Sequence, residues 1–330
     1  LVRKILLVEV KMESKKYIFI PLILFFGIVL NGMKLSEIEG LKSLSNYDEI
    51  KDINVERIVD YDNYERNKEK DRVYVNGEDK PFTGAAIRKK NGRIIGIYTY
   101  INGKSEGKHY KYFDNGQLSL ETQEKNDKAQ GEGFEYYPNG KLKEKKFYKD
   151  NIVSEFIGYL QNGKLDRTFK ATEGLRGIIT GYYEDGVHKN SEMSVIQDYS
   201  KKGEISYIMD GESTAYDKKG QIMGILNYKD GKLTGLEQKV FKNGKLKYDY
   251  ISASEKPEEN VKAKDFFIEY FDNSEQKKLD CKELASNNWR CKEYSKNGKF
   301  KREFDSPTFE KPRDWSFGIN ALLGILNILF

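Results

Sequence analysis

One spacing of apolar and glycine positions recurs along most of the chain. An aromatic residue is followed by three mostly polar residues, a glycine, one further residue and an aliphatic residue. We call the glycine position the slot; its ten copies are Gly92, Gly116, Gly140, Gly163, Gly186, Gly203, Gly220, Gly244, Ser274 and Gly298. Four residues before the slot, eight copies carry a tyrosine: Tyr112, Tyr136, Tyr159, Tyr182, Tyr199, Tyr216, Tyr270 and Tyr294. A fixed period of this kind predicts an array of stacked repeats.

The repeating unit is predicted to be a β-hairpin whose turn lies at the slot. In Pro138-Asn139-Gly140, proline suits the first central position of a type I turn, and glycine can take the left-handed conformation that closes a three-residue loop. Such a loop places the tyrosine opposite the aliphatic residue two positions after the slot. Leu118, Leu142 and Leu165 hold that position, whereas His188 and Gln276 depart from the pattern. The repeated pair predicts an apolar stripe along one face.

A second turn is predicted between successive slots. The candidates are Asn102-Gly103, Asn126-Asp127, Asp150-Asn151, Asp210-Gly211 and Asp230-Gly231. Each repeat is therefore expected to hold two short strands in an antiparallel meander. The 17-residue steps on either side of Gly203 predict shortened strands, and the 30-residue step before Ser274 predicts an exposed loop near residues 252–262.

Three phrases carry a resemblance to a known family: Pro81-Phe82-Thr83-Gly84, Tyr136-Tyr137-Pro138-Asn139-Gly140-Lys141-Leu142 and Tyr228-Lys229-Asp230-Gly231-Lys232-Leu233-Thr234-Gly235. They resemble the bacterial variant of the MORN repeat, over about residues 73–303. The resemblance implies an all-β fold, an elongated single-layer antiparallel sheet of repeated hairpins. It also implies a scaffold or membrane-associated role, and bacterial variants are often labelled antitoxin-like.

The N-terminal residues predict an export signal. Met12 is followed by a basic stretch and then by the apolar run Tyr17–Leu30, which is the layout of a secretory signal. We interpret residues 1–32 as an upstream extension plus a signal peptide; an uncleaved anchor and a buried core segment are the alternatives. The expected location is the periplasm or cell envelope. Residues 33–72 are predicted to form a polar linker with one weak strand near Val55–Tyr61.

The repeat array is predicted to cover residues 73–308 and to be followed by an apolar tail, residues 309–330. Trp315–Phe330 carries no charge. Drawn as a helix, it aligns Ser316, Asn320, Gly324 and Asn327 in one stripe of small and polar residues, as at helix contacts in membranes. The tail is expected either to contact a membrane or to cover the open end or face of the sheet.

The charge pattern excludes a nucleic-acid partner. The formal charge is +5, and the 33% of residues that are charged have their signs interspersed. This indicates a solvated surface rather than a basic footprint. Tyrosines near lysines can stack on single strands, but their fixed repeat position favours packing within the sheet.

No catalytic, metal-binding or cofactor-binding residues are predicted. The two histidines, His109 and His188, have no ligand-type neighbour at helical or strand spacing and are interpreted as substituted sheet positions. Cys281 and Cys291 flank the candidate turn Ser286–Asn288 and would face each other across a hairpin. They are predicted to form a disulfide, with two free thiols as the alternative.

The expected function is binding without turnover. The sequence predicts an exported or envelope-associated repeat scaffold whose sheet surface binds a protein or an envelope component, with membrane contact through the terminal segments. An antitoxin-like interaction module is the first alternative. An envelope enzyme that uses paired carboxylates is the second.

Overall fold

A computed structural model describes residues 32–201, 205–233, 238–251, 266–285 and 288–306. Strands make up 62% of these residues and are joined mostly by tight turns. The first strands are β1 (Met33–Lys34), β2 (Asn54–Val55), β3 (Ile58–Asp60), β4 (Tyr64–Asn67), β5 (Arg72–Val75), β6 (Gly84–Lys90), β7 (Arg93–Ile101), β8 (Lys104–Ser105), β9 (Gly107–Tyr112), β10 (Leu118–Lys125), β11 (Lys128–Tyr136) and β12 (Leu142–Lys149).

The remaining strands follow in the same hairpin order. They are β13 (Ile152–Tyr159), β14 (Leu165–Ala171), β15 (Arg176–Tyr182), β16 (Lys189–Asp198), β17 (Ser206–Tyr216), β18 (Ile222–Lys229), β19 (Lys232–Leu233), β20 (Gln238–Lys242), β21 (Lys245–Ile251), β22 (Phe266–Tyr270), β23 (Lys277–Ala285), β24 (Asn288–Tyr294) and β25 (Phe300–Ser306). The helical elements are α1 (Tyr47–Ile50) and the 3-10 turns Leu35–Glu37, Leu41–Ser43 and Tyr61–Asn63.

One long antiparallel sheet runs from β6 to β25, and β3 adds to its first edge as a parallel neighbour of β6. The short strands β8 and β19 pair only within the second turns, so β7 also pairs with β9 and β18 with β20. Within the described ranges, the end strands β3 and β25 do not pair with each other, so the sheet is open. The predicted all-β array of consecutive hairpins is confirmed.

The slot hairpins follow the predicted pairing in five cases. The pairs are Tyr112 with Leu118, Tyr136 with Leu142, Tyr159 with Leu165, Tyr216 with Ile222, and Tyr294 with Phe300. In each of them the slot glycine has a φ between 76° and 86°, the left-handed conformation that closes the loop. The amide of the slot glycine donates to the carbonyl three residues before it, as Gly140 does to Tyr137 at 2.8 Å.

Four slots depart from this geometry. At Gly92 and Gly244 the loop has only two residues, since Asn91 and Asn243 also have positive φ, as a type I′ turn requires. At Gly186 and Ser274 the loop is one residue longer, so Tyr182 pairs with Lys189 and Tyr270 with Lys277. The extra residue explains why His188 and Gln276 break the aliphatic pattern: neither is the cross-strand partner of the tyrosine.

The second turns are confirmed at four of the five positions, but the turn predicted at Asp210-Gly211 is wrong. Both residues lie inside β17, at an irregularity where the segment 210–212 faces the single residue Ser194 of β16. The buried Asp210 carboxylate accepts hydrogen bonds from Arg176 at 2.6 Å and Lys229 at 2.9 Å. Asp210-Gly211 therefore forms a bulge within β17 instead of a turn, and the hydrogen bonds from Arg176 and Lys229 to Asp210 stabilise it.

The strands beside Gly203 are also longer than predicted. β16 has 10 residues and β17 has 11, and Asp198 pairs with Ser206. Each 17-residue step therefore contains one long strand instead of two short ones. Tyr199 follows the end of β16 and does not join the tyrosine stripe. The Gly203 slot lies in residues 202–204, outside the described residues.

Residues 33–72 were predicted to be a polar linker, and this is wrong. Leu35, Leu41 and Ile50 are fully buried against the first strands of the array. The weak strand expected near Val55–Tyr61 is present as β2 and β3. The polar composition misled the prediction, because from Leu35 to Ile53 only every third residue is apolar and packs against the sheet.

Three further sequence predictions fall outside the described residues: the apolar run Tyr17–Leu30, the loop at 252–262 and the tail after residue 308. Within the described ranges, no helix is long and apolar enough to cross a lipid bilayer.

The slot tyrosines are predicted to differ in their contribution to stability. Tyr112 is 6% exposed, whereas Tyr159 is only half-buried. Tyr112→Ala should lower the free energy of unfolding by about 3 kcal/mol, the range for truncating a buried aromatic side chain. Tyr159→Ala should cost about 1 kcal/mol. Urea titrations followed by circular dichroism measure both; equal losses would contradict the difference in burial.

Candidate interaction surface

The sheet curls toward one face, which we call the inner face. The Tyr207 ring of β17 lies 5.5 Å from Phe156 of β13 and 5.0 Å from Phe169 of β14, measured between ring centroids. Because β15 and β16 separate these strands in the sheet, such contacts require a strong bend. The bend buries one cluster: Val153, Phe156, Phe169, Ile179, Met193, Val195, Ala215, Leu226 and Tyr228.

The side chains of Gln197 and Tyr199 stabilise the bend through hydrogen bonds to Val153. The Gln197 amide, 1% exposed, donates to the Val153 carbonyl at 2.9 Å. The Val153 amide donates to the Tyr199 hydroxyl at 3.1 Å, and that hydroxyl donates to the Gln197 side chain. The end of β16 therefore supplies the hydrogen bonds of a β13 residue three strands away. This contact gives Tyr199 a role that its place in the repeat pattern did not predict.

Glycines on the inner face make room for aromatic rings. A Cβ at Gly177 would lie 2.3 Å from the Phe169 ring, and one at Gly133 would lie 2.8 Å from the Tyr148 ring. Both distances are far below van der Waals contact. These glycines let the rings lie against the strand backbone, which is how a single sheet buries large side chains on its own concave surface.

A compact ion cluster stands beside the apolar inner core. The Lys146 ammonium lies 2.5 Å from Glu135 and 2.8 Å from Glu144, and Arg167 lies 3.6 Å from Glu144. Burial lowers the pKa of Lys146, but the two carboxylates outweigh burial and hold that pKa above its usual value. Burial raises the pKa of Glu135, yet Lys146 holds it below its usual value. The positive charges of Lys146 and Arg167 balance the negative charges of the two carboxylates. We therefore interpret the cluster as a structural ion-pair network.

The opposite, outer face is covered at its beginning. The N-terminal segment 35–53 packs against Ile87, Ile97 and Tyr110 of β6, β7 and β9, which point to the outer face. Its apolar residues recur at every third position: Leu35, Ile38, Leu41, Leu44, Tyr47, Ile50 and Ile53. Successive turns close between them, as Ile38 N–H donates to Leu35 and Leu44 N–H to Leu41. This cover reaches the slot hairpin at Gly116, where Ser45 N–H donates to the Gly116 carbonyl.

Beyond the cover, the outer face presents apolar side chains to solvent. Ile178 and Ile208 are 41% and 36% exposed. Ile196 lies directly opposite Ile208 on the neighbouring strand, and Arg176 lies opposite Ile196. We call Ile178, Ile196 and Ile208 the outer patch. Exposed apolar side chains gathered on one surface mark interaction sites more often than isolated ones do.

An aromatic pair extends this surface toward the N-terminal side. Lys145 lies over the rings of Phe134 and Phe147, at 5.4 and 4.8 Å from their centroids, and pairs with Glu132 at 2.5 Å. The cross-strand pairing places Phe134, Lys145 and Ile157 in one row of the outer face. The slot tyrosines lie on this same face, since Tyr136 is two residues from Phe134 in β11.

The two histidines have structural contacts. His109 Nε2–H donates to the Thr99 carbonyl at 3.0 Å, and its ring packs on Tyr98 and Tyr100. Burial lowers the pKa of His109, although the bond to Thr99 raises it. His188 Nδ1 lies 3.0 Å from an Asp185 carboxylate oxygen in the slot loop. No group of three or more metal-ligating side chains occurs in the portion of the chain that the structure describes.

Cys281 and Cys291 are opposite residues of β23 and β24 and form a disulfide. Both are buried on the inner face with Val240, Tyr248 and Phe267. The structure thus gives them the pairing that the hairpin geometry predicted.

Comparison with known families supports the repeat assignment. The family profile described as MORN repeat variant matches residues 129–150 and 209–230. Each match contains one slot hairpin, and the slot glycines Gly140 and Gly220 stand at the same position in both. These two segments are therefore MORN repeat variants. The match supports neither a bacterial origin nor an antitoxin-like family. No curated protein matches the chain.

Sequence reasoning found the slot residues but missed the outer patch and the N-terminal cover. The signal for the cover was available as the three-residue apolar period of segment 35–53. The outer patch had no such signal, because the curl decides which face of each strand is buried.

Proposed function

We propose that the chain is a repeat scaffold that binds another protein through the outer face of β11–β17. The outer patch carries the proposal: aliphatic side chains on adjacent strands are exposed, while their inner-face neighbours are buried. MORN repeats in two segments also support a scaffold rather than an enzyme. The rows beside the patch mix lysine, glutamate and threonine, which is typical of the rim of a protein interface.

Export remains part of this proposal on the sequence alone. The basic stretch and apolar run between Met12 and Leu30 support a periplasmic or envelope location, and the apolar tail supports membrane contact. Fractionation of native cells, followed by N-terminal sequencing of the mature chain, tests both.

The outer patch is tested with Ile178→Asp. A buried carboxylate at the centre of an interface should reduce partner capture from native extract by about tenfold, because a central contact contributes more than about 1 kcal/mol. Val187→Asp is the matched control, since Val187 is 73% exposed in the Gly186 loop, away from the patch. Quantitative pull-down with the full chain measures capture. Equal capture by both variants and the wild type would contradict binding at the patch.

A further inference from the structure

The N-terminal cover shows how one slot hairpin recognises a polypeptide segment. At the Gly116 hairpin, the Tyr112 hydroxyl donates to the Asn46 side chain at 3.1 Å. The Leu118 amide donates to the Ser45 hydroxyl at 2.9 Å, and the Gly116 carbonyl accepts from Ser45 N–H at 3.1 Å. Each of the three repeated positions, tyrosine, slot glycine and aliphatic residue, thus makes one hydrogen bond to Ser45-Asn46.

Close backbone approach completes this recognition. A Cβ at Gly116 would lie 2.6 Å from the Ser43 carbonyl oxygen, so the segment rests directly on the slot glycine. Leu44 belongs to the same packed cluster as Tyr112 and Leu118. The segment therefore combines an aliphatic anchor with a Ser-Asn pair.

The same repeated residues recur further along the outer face. At most of these slots, however, other residues of the chain already fill the space over the glycine. The space over Gly140 holds the Gln117 side chain, at 2.9 Å, and that over Gly186 holds the backbone of Leu165, also at 2.9 Å. Over Gly163 and Gly220, a Cβ would meet nothing within 4 Å. At Gly220, however, the tyrosine is engaged: Tyr216 donates to Glu192 at 2.8 Å and lies under Lys189.

The Gly163 hairpin has an open cavity at the corresponding place. The cavity has a volume of about 280 Å³ and is lined by Lys141, Leu142, Tyr159, Asn162 and Gly163. Leu142 and Tyr159 come from successive repeats, as Ile94 and Tyr112 do in the cluster that holds Leu44. This space suits one aliphatic side chain and the polar residues that follow it.

We propose that the Gly163 hairpin binds a segment of a partner protein that carries an aliphatic residue followed by Ser-Asn. The segment lies across the slot glycine as residues 43–46 lie across Gly116, with its amide side chain accepting from Tyr159. The site continues the outer face from the intramolecular cover toward the outer patch. This inference rests on the proposed function and names the chemistry of the partner.

A labelled peptide of residues 35–53 is the probe, titrated with the full chain and followed by fluorescence anisotropy. The peptide is expected to bind, and Tyr159→Phe should weaken binding about fivefold through loss of one hydrogen bond. Tyr182→Phe is the matched control and should bind as the wild type does, since its slot glycine is covered. A peptide that carries Ser45→Ala and Asn46→Leu should bind the wild-type chain at least about fivefold more weakly than the unchanged peptide does. Circular dichroism checks that each variant is folded.

Two outcomes would overturn the inference. The first is no anisotropy change at peptide concentrations up to about 1 mM, where even weak recognition is detected. The second is binding that Tyr159→Phe leaves unchanged. If that binding is instead lost in Tyr112→Phe, the peptide only displaces the chain's own cover. The proposed function is tested separately, by partner capture with Ile178→Asp. If the peptide does not bind, the pull-down still decides whether the outer patch binds a partner.

Discussion

Replacing Lys146 with methionine is expected to lower the free energy of unfolding by about 3 kcal/mol. The substitution keeps the apolar stem but removes the charge between Glu135 and Glu144, whose side chains are 29% and 8% exposed. Breaking a buried pair costs more than the pair contributes, because a carboxylate remains in a poorly solvated site. Chemical denaturation of the full chain measures the loss. Lys143→Met is the control: Lys143 is 46% exposed and 3.7 Å from Glu135, so its removal should cost less than about 0.5 kcal/mol.

The loss in Lys146→Met should depend on pH. In the native protein the pKa of Glu135 lies below its usual value of 4.5, so its stabilising contribution is present above that pH and is lost as the pH falls through the lowered pKa. Without Lys146, burial raises the pKa of Glu135 and only the more exposed Lys143 still opposes that effect, so the pKa of Glu135 should rise. The folded variant can then take up a proton, and its deficit should shrink as the pH is lowered from about 7 toward about 4. A deficit that stays constant over this range would show that packing, not charge, is lost.

Phe169→Ala is expected to cost about 4 kcal/mol, the range for truncating a fully buried aromatic side chain. Phe169 is 2% exposed, stacks on Phe156 at 5.6 Å, packs on Tyr207 and lies against Gly177. The cavity cannot collapse easily, because strands on both sides of the bend form its walls. Urea unfolding measures the loss.

Phe134→Ala provides the comparison for Phe169→Ala. Phe134 is half-buried on the outer face, beneath Lys145. Its truncation should cost about 1 kcal/mol. Similar losses in the two variants would contradict the assignment of the inner face as the core.

The repeat pattern predicted the hairpins because turn chemistry acts over a few residues. Glycine at Gly140 and Gly163 and the asparagine or aspartate of the second turns impose their backbone conformation locally. The same reasoning failed at Asp210-Gly211, where Arg176 and Lys229 are brought in from other strands. Local sequence does not contain those partners.

The surfaces were harder to predict than the strands. Which face of a strand is buried depends on the direction in which the whole sheet bends, and Tyr207 meets Phe156 only after that bend has formed. The cover at 35–53 was missed because its apolar residues follow a three-residue period, which belongs to neither a strand nor an α-helix. The Gly163 cavity was not predictable from spacing, since Gly140 has the same sequence context and is covered by Gln117.

The bond from Gln197 to Val153 constrains how this chain can change its number of repeats. In a simple array each repeat touches only its neighbours, so duplication or loss of one repeat leaves the others intact. Here a deletion between β13 and β16 would move Gln197 and Tyr199 away from the backbone groups that they serve. Gain and loss of hairpins by recombination should therefore be tolerated outside the curled centre and selected against within it. The hairpins of the curled centre should therefore be kept together during evolution, although each of them is a single repeat in the sequence.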